Sequence, residues 1–382
     1  MSLAEREPVE PIHVPTQYQQ HAEYDNLTGK GEGATGPTRV LISDERALLT
    51  AAGVDPDVFR IVGKISQWTK THHDREDTYS FFFAFESIVA LEAQLDLPAL
   101  YAVSRRKPAK QLKPASSGRT SVPVLADPQI GKVGSRGGTP ELIDRLAEKR
   151  EKLTAELHKR RPDDIFLPDI NDLFENFNSG GNPMFTNDLS LAQQMDTAAT
   201  EVYLLVETAC RFGHVKVAIV PSNHTAWRNG PISLGRPGDD LGIFVHRQVE
   251  KVAKAAGLDA EWVYPEMYNE SMVVDIRGTG VGLVHGNQFR PGQAPAWWAK
   301  QTHGAQPVGA ADILLTGHYH HLSLLPTGRN PYTGKSKWWL QAPTLDNGSD
   351  WYRNIAGDDS DPGMLLFDIT DDGFDLTSLT VL

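Results

Sequence analysis

The stretch Asp312-Ile313-Leu314-Leu315-Thr316-Gly317-His318-Tyr319-His320 decides how this chain is read. A short apolar run bounded by glycine reads as a buried strand. Two imidazoles two residues apart then sit in the loop just past the strand end, free to point the same way. Histidine is the commonest metal ligand at neutral pH. Three of the thirteen histidines, His318, His320 and His321, fall together here. The run gains its weight from what lies upstream.

Four earlier segments share the design of an apolar strand that ends in ligand-type side chains. Residues 121–126 lead into Asp127-Pro128-Gln129, and residues 164–170 lead into Asn171-Asp172, with Glu175 and Asn176 beyond. Residues 215–220 lead into Ser222-Asn223-His224, and residues 281–284 into His285-Gly286. The intervals of roughly thirty to sixty residues suit one strand–helix unit between loops. In an open α/β sheet, loops at the carboxyl ends of the strands gather on one edge and form the site. Carboxylate, amide and imidazole together make a mixed nitrogen and oxygen site, suited to Mn, Fe, Zn or Ni rather than to Ca alone. Taken singly, each residue has a plainer reading. Asp172 followed by Glu175 fits a helix N-cap with its capping box. Asn223 and Gln129 fit turn chemistry, and His285 fits a satisfied histidine at a strand end.

In this order the segments resemble the calcineurin-like metallophosphoesterase superfamily, over about residues 120 to 325. The family pattern is Asp-x-His, Gly-Asp, Gly-Asn-His, His and Gly-His-x-His. The chain departs from it at Gln129, which stands for His, and at Asn171 and Ser222, which stand for Gly. Asn tolerates the left-handed backbone that Gly usually supplies. An amide oxygen is a poorer donor than imidazole, so a metal held by Gln129 is held weakly. The wording from Asp127 to Lys132 looks like phage-encoded members, and more distantly like the SbcD-type DNA repair nucleases.

The resemblance implies an α/β fold, a four-layer αββα sandwich, with two divalent metal ions. Mn is the expected ion, with Mg, Fe, Zn or Ni as alternatives. Asp127, Gln129, Asp172 and His320 would hold the first. Asp172, Asn223, His285 and His318 would hold the second, with Asp172 bridging. Two cations about 4 Å apart clamp a phosphate ester while an activated water attacks in line at phosphorus. His224 would act on the leaving oxygen, and Glu175 would orient and charge that imidazole. The activity implied is phosphodiester hydrolysis, foremost by a DNA exonuclease or endonuclease. A phosphomonoesterase or small-nucleotide phosphodiesterase is the enzymatic alternative. The non-enzymatic alternative is a metal-poor scaffold or DNA-binding protein that keeps the fold.

Composition agrees with an enzyme. A chain of 382 residues with 40% hydrophobic residues buries a substantial core. A single cysteine, Cys210, excludes an intramolecular disulfide and a cysteine-rich zinc site. It falls on a helical pattern and reads as packing. No run approaches the roughly twenty apolar residues that span a bilayer. The first residues lack an apolar signal core. The expected location is therefore cytoplasmic, or host-cytoplasmic for a phage protein, with no membrane partner. The net charge of -12 argues against a surface generally coated by DNA. The partners expected are a nucleic acid or other phosphate ester, and a homodimer is compatible with the chain.

Residues 1–40 mix Pro, Gln, Gly and charge without periodicity and read as a flexible arm. Residues 41–103 read as a small α+β accessory module. Its Trp68, Phe81, Phe82, Phe83 and Phe85 suit either a core or base stacking, with core preferred. Residues 104–120, with Arg105, Arg106, Lys107, Lys110, Lys113 and Arg119, read as a basic linker. Residues 121–382 form the catalytic domain. Helices are expected over 139–161, 196–212 and 246–256, and strands over 273–284, 337–340 and 364–367. Trp227 and Arg228 closely follow His224 and are candidates to line a substrate cleft, while Trp351 and Tyr352 mark another aromatic insertion.

Overall fold

The computed structural model describes residues 14–25, 30–72, 77–87, 95–112, 116–176, 187–229, 232–348, 353 and 361–382. They divide between two units, 1–94 and 95–382. Trp351 and Tyr352 lie outside the described residues.

In the first unit, β1 (His21–Asp25), β2 (Lys30–Ala34), α1 (Glu45–Ala52), β3 (Phe59–Lys70) and β4 (Thr78–Ser87) follow in order. The strands form an antiparallel sheet in the order β1-β2-β4-β3. A strand's side chains alternate in direction, so Phe81, Phe83 and Phe85 turn inward together and bury against Leu48, Leu49 and Ala52 of α1. These three phenylalanines are core and not a stacking platform. Asp44 caps α1 by accepting from Ala47 N at 2.9 Å, and Gly53, at φ 85°, ends it.

Two strands fall inside the range 1–40 that was expected to be a flexible arm, so that expectation is corrected for residues 21–25 and 30–34; residues 1–13 lie outside the described residues. The reason is visible at Gly31. A Cβ there would stand 2.6 Å from the Phe85 ring. The strand is glycine-rich because an aromatic ring crosses it, and the same glycines erase the alternation that would have announced it.

The second unit opens with α2 (Leu97–Val103) and continues with β5 (Arg119–Val124), α3 (Thr139–Arg160), β6 (Asp164–Asp169), α4 (Leu191–Cys210) and β7 (His214–Ile219). A short antiparallel pair, β8 (Arg228–Asn229) and β9 (Ile232–Ser233), precedes α5 (Leu241–Ala256) and β10 (Ala260–Val263). Then come β11 (Ser271–Ile276), β12 (Thr279–Val284), α6 (Ala294–His303), β13 (Ile313–Thr316), β14 (Ser323–Arg329), β15 (Ser336–Gln341), β16 (Leu365–Thr370) and β17 (Gly373–Val381). One sheet has the order β10-β7-β6-β5-β16-β17 and the other β11-β12-β13-β15-β14.

Side-chain alternation sorts the layers. From β6 and β7, Ile165, Leu167, Val215, Val217 and Ile219 pack with Leu146 and Leu153 of α3, Val202 and Val206 of α4, and Val249 of α5. Phe166 and Ala218, one residue out of phase, meet Val281, Leu283, Ile313, Leu315 and Leu340 of the other sheet. The far face of that sheet offers Val284, Leu314 and Trp339 to Trp298 of α6. The layers therefore run helices, sheet, sheet, helix, which is the expected αββα sandwich.

Two boundaries move. Leu100 and Val103 of α2 pack on the second unit's core, so residues 95–103 belong there rather than to a 41–103 module. The strand expected over 273–284 is a hairpin that turns at Arg277 and Gly278, both with positive φ, at 53° and 71°. Residues 104–112 and 116–118 form no helix or strand, and Lys113 lies outside the described residues. Cys210 is buried on α4. No helix among the described residues is long and apolar enough to cross a membrane.

Candidate active site

The carboxyl ends of strands from both sheets meet at one edge. From the six-stranded sheet, β5 delivers Asp127 and Gln129, β6 delivers Asp172, and β7 delivers Asn223 and His224. From the five-stranded sheet, β12 delivers His285, and β13 delivers His318 and His320. The first two loops hold each other in place. Asp127 N donates to Asn171 O at 3.0 Å and Gln129 N to Asp172 O at 2.9 Å, while Ile130 bridges Phe174. That pairing replaces the helix that an N-cap at Asp172 would require. Asp172 has φ 53°, and residues 173–176 form no helix.

Backbone strain gathers here. Ten described non-glycine residues have positive φ, and seven of them, Asp127, Gln129, Asn171, Asp172, Asn176, His318 and His320, lie in these loops. Such conformations persist only where the surroundings over-determine them, and they mark functional sites more often than chance. Gly317 shows how tight the packing is, since a Cβ there would stand 2.4 Å from Asp127 Oδ2.

The two departures from glycine are put to use. Asn171, at φ 72°, donates from Nδ2 to Val220 O at 2.8 Å and to Asp240 Oδ1 at 3.0 Å. Ser222 Oγ accepts from Asp172 N at 3.1 Å and lies 2.8 Å from Thr225 Oγ1. Asp240, the N-cap of α5, accepts from Gly242 N, Ile243 N and Thr225 Oγ1 at 2.8, 3.1 and 2.7 Å. One buried carboxylate thus ties the β6 loop, the β7 loop and a helix start together. Asp240→Ala removes a cap and orphans several buried donors, and is expected to destabilise the fold by about 2–4 kcal/mol. Urea denaturation followed by circular dichroism measures this, and a loss below about 0.5 kcal/mol would contradict it.

The metal-ligand candidates converge. Ligating atoms of Asp172, His285 and His318 all lie within 4.8 Å of one another. His285 Nδ1 lies 2.8 Å from Ile170 O and donates there, which turns Nε2 toward Asp172 Oδ2 at 3.1 Å. Although they are this close, Asp172 Oδ2, His285 Nε2 and Asn223 Oδ1 are shielded from solvent without a directed hydrogen bond. Buried polar atoms are almost always satisfied. Three unsatisfied donor-type atoms on neighbouring loops therefore fit a divalent cation, with a mixed donor set of the kind transition metals accept. Burial alone would raise the Asp172 carboxyl, but the charges of His224 and His285 outweigh it and hold it well below the usual range. Burial, reinforced by the His285 charge, drops His318 to about 3, so its ring is neutral.

The residues of the other expected metal set are arranged differently. Asp127 is fully buried, and both its oxygens lie 3.1 Å from His318 N. His320 Nε2 is 3.6 Å from Asp127 Oδ1, and its Nδ1 is 3.8 Å from Asp346 Oδ2. Gln129 Oε1 accepts from Lys132 Nζ at 2.5 Å, and the same ammonium reaches Asp346 Oδ2 at 2.5 Å. A cation already engages the one atom of Gln129 that could ligate, so these residues do not fit a metal there as the family pattern would have it. Burial opposes the Lys132 charge, but Asp346 and Glu175 outweigh it and raise the ammonium above its usual value.

His224 stands beside both groups. Its Nδ1 lies 3.2 Å from Glu175 Oε2, and its Nε2 lies 3.7 Å from Asp172 Oδ2 and 3.4 Å from Gln129 Nε2. Its backbone N donates to Asp172 Oδ1 at 3.1 Å, and its carbonyl accepts from Asn176 Nδ2 at 3.0 Å. Burial lowers the ring, but the charges of Asp172 and Glu175 prevail and raise it to about 9. It is an imidazolium at neutral pH. Nearby, a pocket opens at Ser222 and is lined by Trp227, Arg228, Arg236 and Glu270. Trp227 is 55% exposed, which leaves its face open to a ligand.

Sequence reasoning placed Asp127, Gln129, Asp172, Glu175, Asn223, His224, His285, His318 and His320 on these loops, named Asn176 there without a role, and missed Lys132, Asp240 and Asp346. Lys132 was in view within the Asp127–Lys132 wording. Asp346 follows the β15 strand, and the rule that reads polar residues after a strand end would have found it.

No protein-family model and no curated protein sequence matches the chain. Among solved structures, a predicted phosphoesterase from Streptococcus pneumoniae is 13% identical, covering 69% of this chain and 97% of that one, with a TM-score of 0.24. A structure of PhoD is 11% identical over 92% of this chain and 84% of its own, with a TM-score of 0.32. A phosphatase from Mycoplasma pneumoniae is 10% identical over 69% and 92%, with a TM-score of 0.30. Likeness at this level lends no weight to a function, which must come from the geometry.

Proposed function

We propose that this protein is a metal-dependent phosphoesterase acting on phosphodiesters, with a nucleic acid, DNA first, as its substrate. The observation that carries the reading is His224. Its part-buried ring sits between Asp172 and Glu175, next to the converging ligand atoms of Asp172, His285 and His318, of which Asp172 Oδ2 and His285 Nε2 are shielded without a directed hydrogen bond. Asp172, Asn223, His285 and His318 would hold a divalent cation, Mn being the expected one. When bound, it supplies a Lewis acid that stabilises charge on the phosphoryl oxygens.

The chain's own residues do the rest. Glu175 faces His224 Nδ1 and fixes the ring, which points Nε2 into the site. As a water oxygen bonds to phosphorus and the ester P–O bond breaks, the imidazolium donates its Nε2 proton to the departing oxygen, and the proton that the water sheds restores the imidazolium. Ile170 O and Asp172 fix the ring of His285 in the same way. An exposed indole beside two arginines supports a substrate that carries a base next to its phosphate. The net charge of -12 favours the second reading, a small-nucleotide phosphodiesterase or phosphomonoesterase, because a long polyanion would meet a repelling surface.

The test is one screen in Mn with labelled single- and double-stranded DNA, cyclic nucleotides and aryl phosphates side by side. The expected result is turnover of DNA above the rest. Trp227→Ala should then raise KM for DNA about 5- to 150-fold, from the roughly 1–3 kcal/mol that one stacked base contributes. That penalty should shrink on a bis-aryl phosphate, which offers no base. Turnover of aryl monophosphates alone would move the assignment to the second reading. Absence of metal-dependent hydrolysis of any of these substrates would end the phosphoesterase reading.

A further inference from the structure

The residues allotted to the first metal by resemblance are Asp127, Gln129, Asp172 and His320. Gln129 can ligate only through Oε1, and that atom accepts from Lys132 Nζ at 2.5 Å. The ammonium is a built feature of the site and not a surface group that has fallen inward. Its side chain is 14% exposed, and that of its second partner, Asp346, is 1% exposed. Asp346 is held in turn, since its Oδ1 accepts from Gly348 N at 2.6 Å and its backbone N donates to Thr344 Oγ1 at 3.0 Å. His320 Nδ1, 3.8 Å from Asp346 Oδ2, borders the same charge. The backbone on both sides of Lys132 is fixed as well, by Lys132 N donating to Gln129 O at 3.1 Å and by the bridge to Asn187. A dication at ligating distance from Gln129 Oε1 would share that oxygen with a full positive charge in a water-poor interior, where like charges repel strongly.

We propose that the Lys132 ammonium takes the place of one of the two cations, so that the chain binds a single divalent ion, at Asp172, Asn223, His285 and His318, beside a permanent organic cation. The exchange of His for Gln at position 129 follows from this. An amide oxygen accepts from an ammonium in any protonation state of its surroundings, whereas an imidazole does so only while neutral. The buried carboxylates Asp346 and Glu175 then have a countercharge that no chelator removes. The inference rests on the metal-dependent phosphoesterase reading and deepens it.

The test is metal stoichiometry on the full chain, stripped of metal and titrated with Mn by calorimetry, with elemental analysis and electron paramagnetic resonance alongside. The expected result is one ion per chain and the spectrum of an isolated Mn. In the double variant Gln129→His, Lys132→Ala the expected count rises to two, with a spectrum altered by coupling. In Lys132→Arg, which keeps the charge, it stays at one. Two ions in the unaltered protein would overturn the proposal and leave the metal-dependent reading standing. One ion in a folded double variant would overturn it as well, because Lys132 would not be what excludes the second. No ion in the unaltered, folded protein would remove the metal-dependent reading and this proposal with it. Should the double variant fail to fold, the count in the unaltered protein still decides.

Discussion

His224→Ala is expected to lower turnover by about a hundredfold to ten-thousandfold on a diester with a poor leaving group, the usual range for a lost general acid. The ring sits 3.2 Å from Glu175 Oε2 and 3.7 Å from Asp172 Oδ2, and those two charges keep it protonated. In the proposed function its role is to hand over a proton, and an alkoxide needs that proton far more than a nitrophenolate does. The deficit should shrink on a nitrophenyl ester. Ion stoichiometry should stay as it is, because none of the converging ligand atoms belongs to His224. Glu175→Gln should give a smaller loss of the same pattern, since the amide still orients the ring but no longer charges it. Steady-state rates on a series of leaving groups, with metal analysis of each variant, check this. A deficit independent of the leaving group, or a lost ion, would assign His224 another role.

Asp172→Ala is expected to be the more damaging change. Asp172 touches both His285 and His224. Its Oδ2 faces His285 Nε2 at 3.1 Å, and its Oδ1 accepts from His224 N at 3.1 Å. Removing it deletes a ligand atom and the charge that raises two imidazoles. The ion should be lost and turnover should fall at least about a thousandfold, since metal stabilisation of phosphoryl charge amounts to several kcal/mol and each 1.4 kcal/mol is a factor of ten. Unlike the His224 loss, this one should stay large on a good leaving group, because the ion is gone whatever the leaving oxygen needs. Elemental analysis and rates on the same series separate the two cases, and a variant that retains its ion would exclude Asp172 as a ligand.

How far the sequence reached depends on which physical signal each element carries. Loops at strand ends were legible because β6, β7, β12 and β13 are buried on both faces and read as apolar runs that stop at ligand-type residues. The pair Glu175 and His224 was legible through the resemblance. The two strands over 21–34 were not, because Gly31 and Gly33 give way to Phe85 and leave no alternation to read. The hairpin over 271–284 read as one strand because Arg277-Gly278 carries the turn in its backbone angles more than in its composition. Asp172 as a helix cap was a fair local reading. It gave way to pairing between the β5 and β6 loops, whose partners Asp127 and Asn171, and Gln129 and Asp172, lie 44 and 43 residues apart in sequence and are invisible to any local pattern. Lys132 and Asp346 went unassigned for a different reason. Metal-ligand reasoning looks for electron-pair donors, and an ammonium is the opposite of one.

The site edge has a mechanical meaning. Asp172 and Asn223 hang from one sheet and His285 and His318 from the other, and the sheets meet mainly through apolar contact, joined at this edge by His285 Nδ1 to Ile170 O and His318 N to Asp127. An ion held by all four is a rivet through the middle of the sandwich. Whatever binds the folded chain and not the unfolded one adds to its stability by mass action, about 2.7 kcal/mol at a hundred times the dissociation constant. The divalent ion in the surrounding solution would then act as a thermostat on the whole domain, tightening the seam between its halves as the supply rises and loosening it as the supply falls. The lysine half of the site, whose charge is covalently attached, would be the part that never lets go.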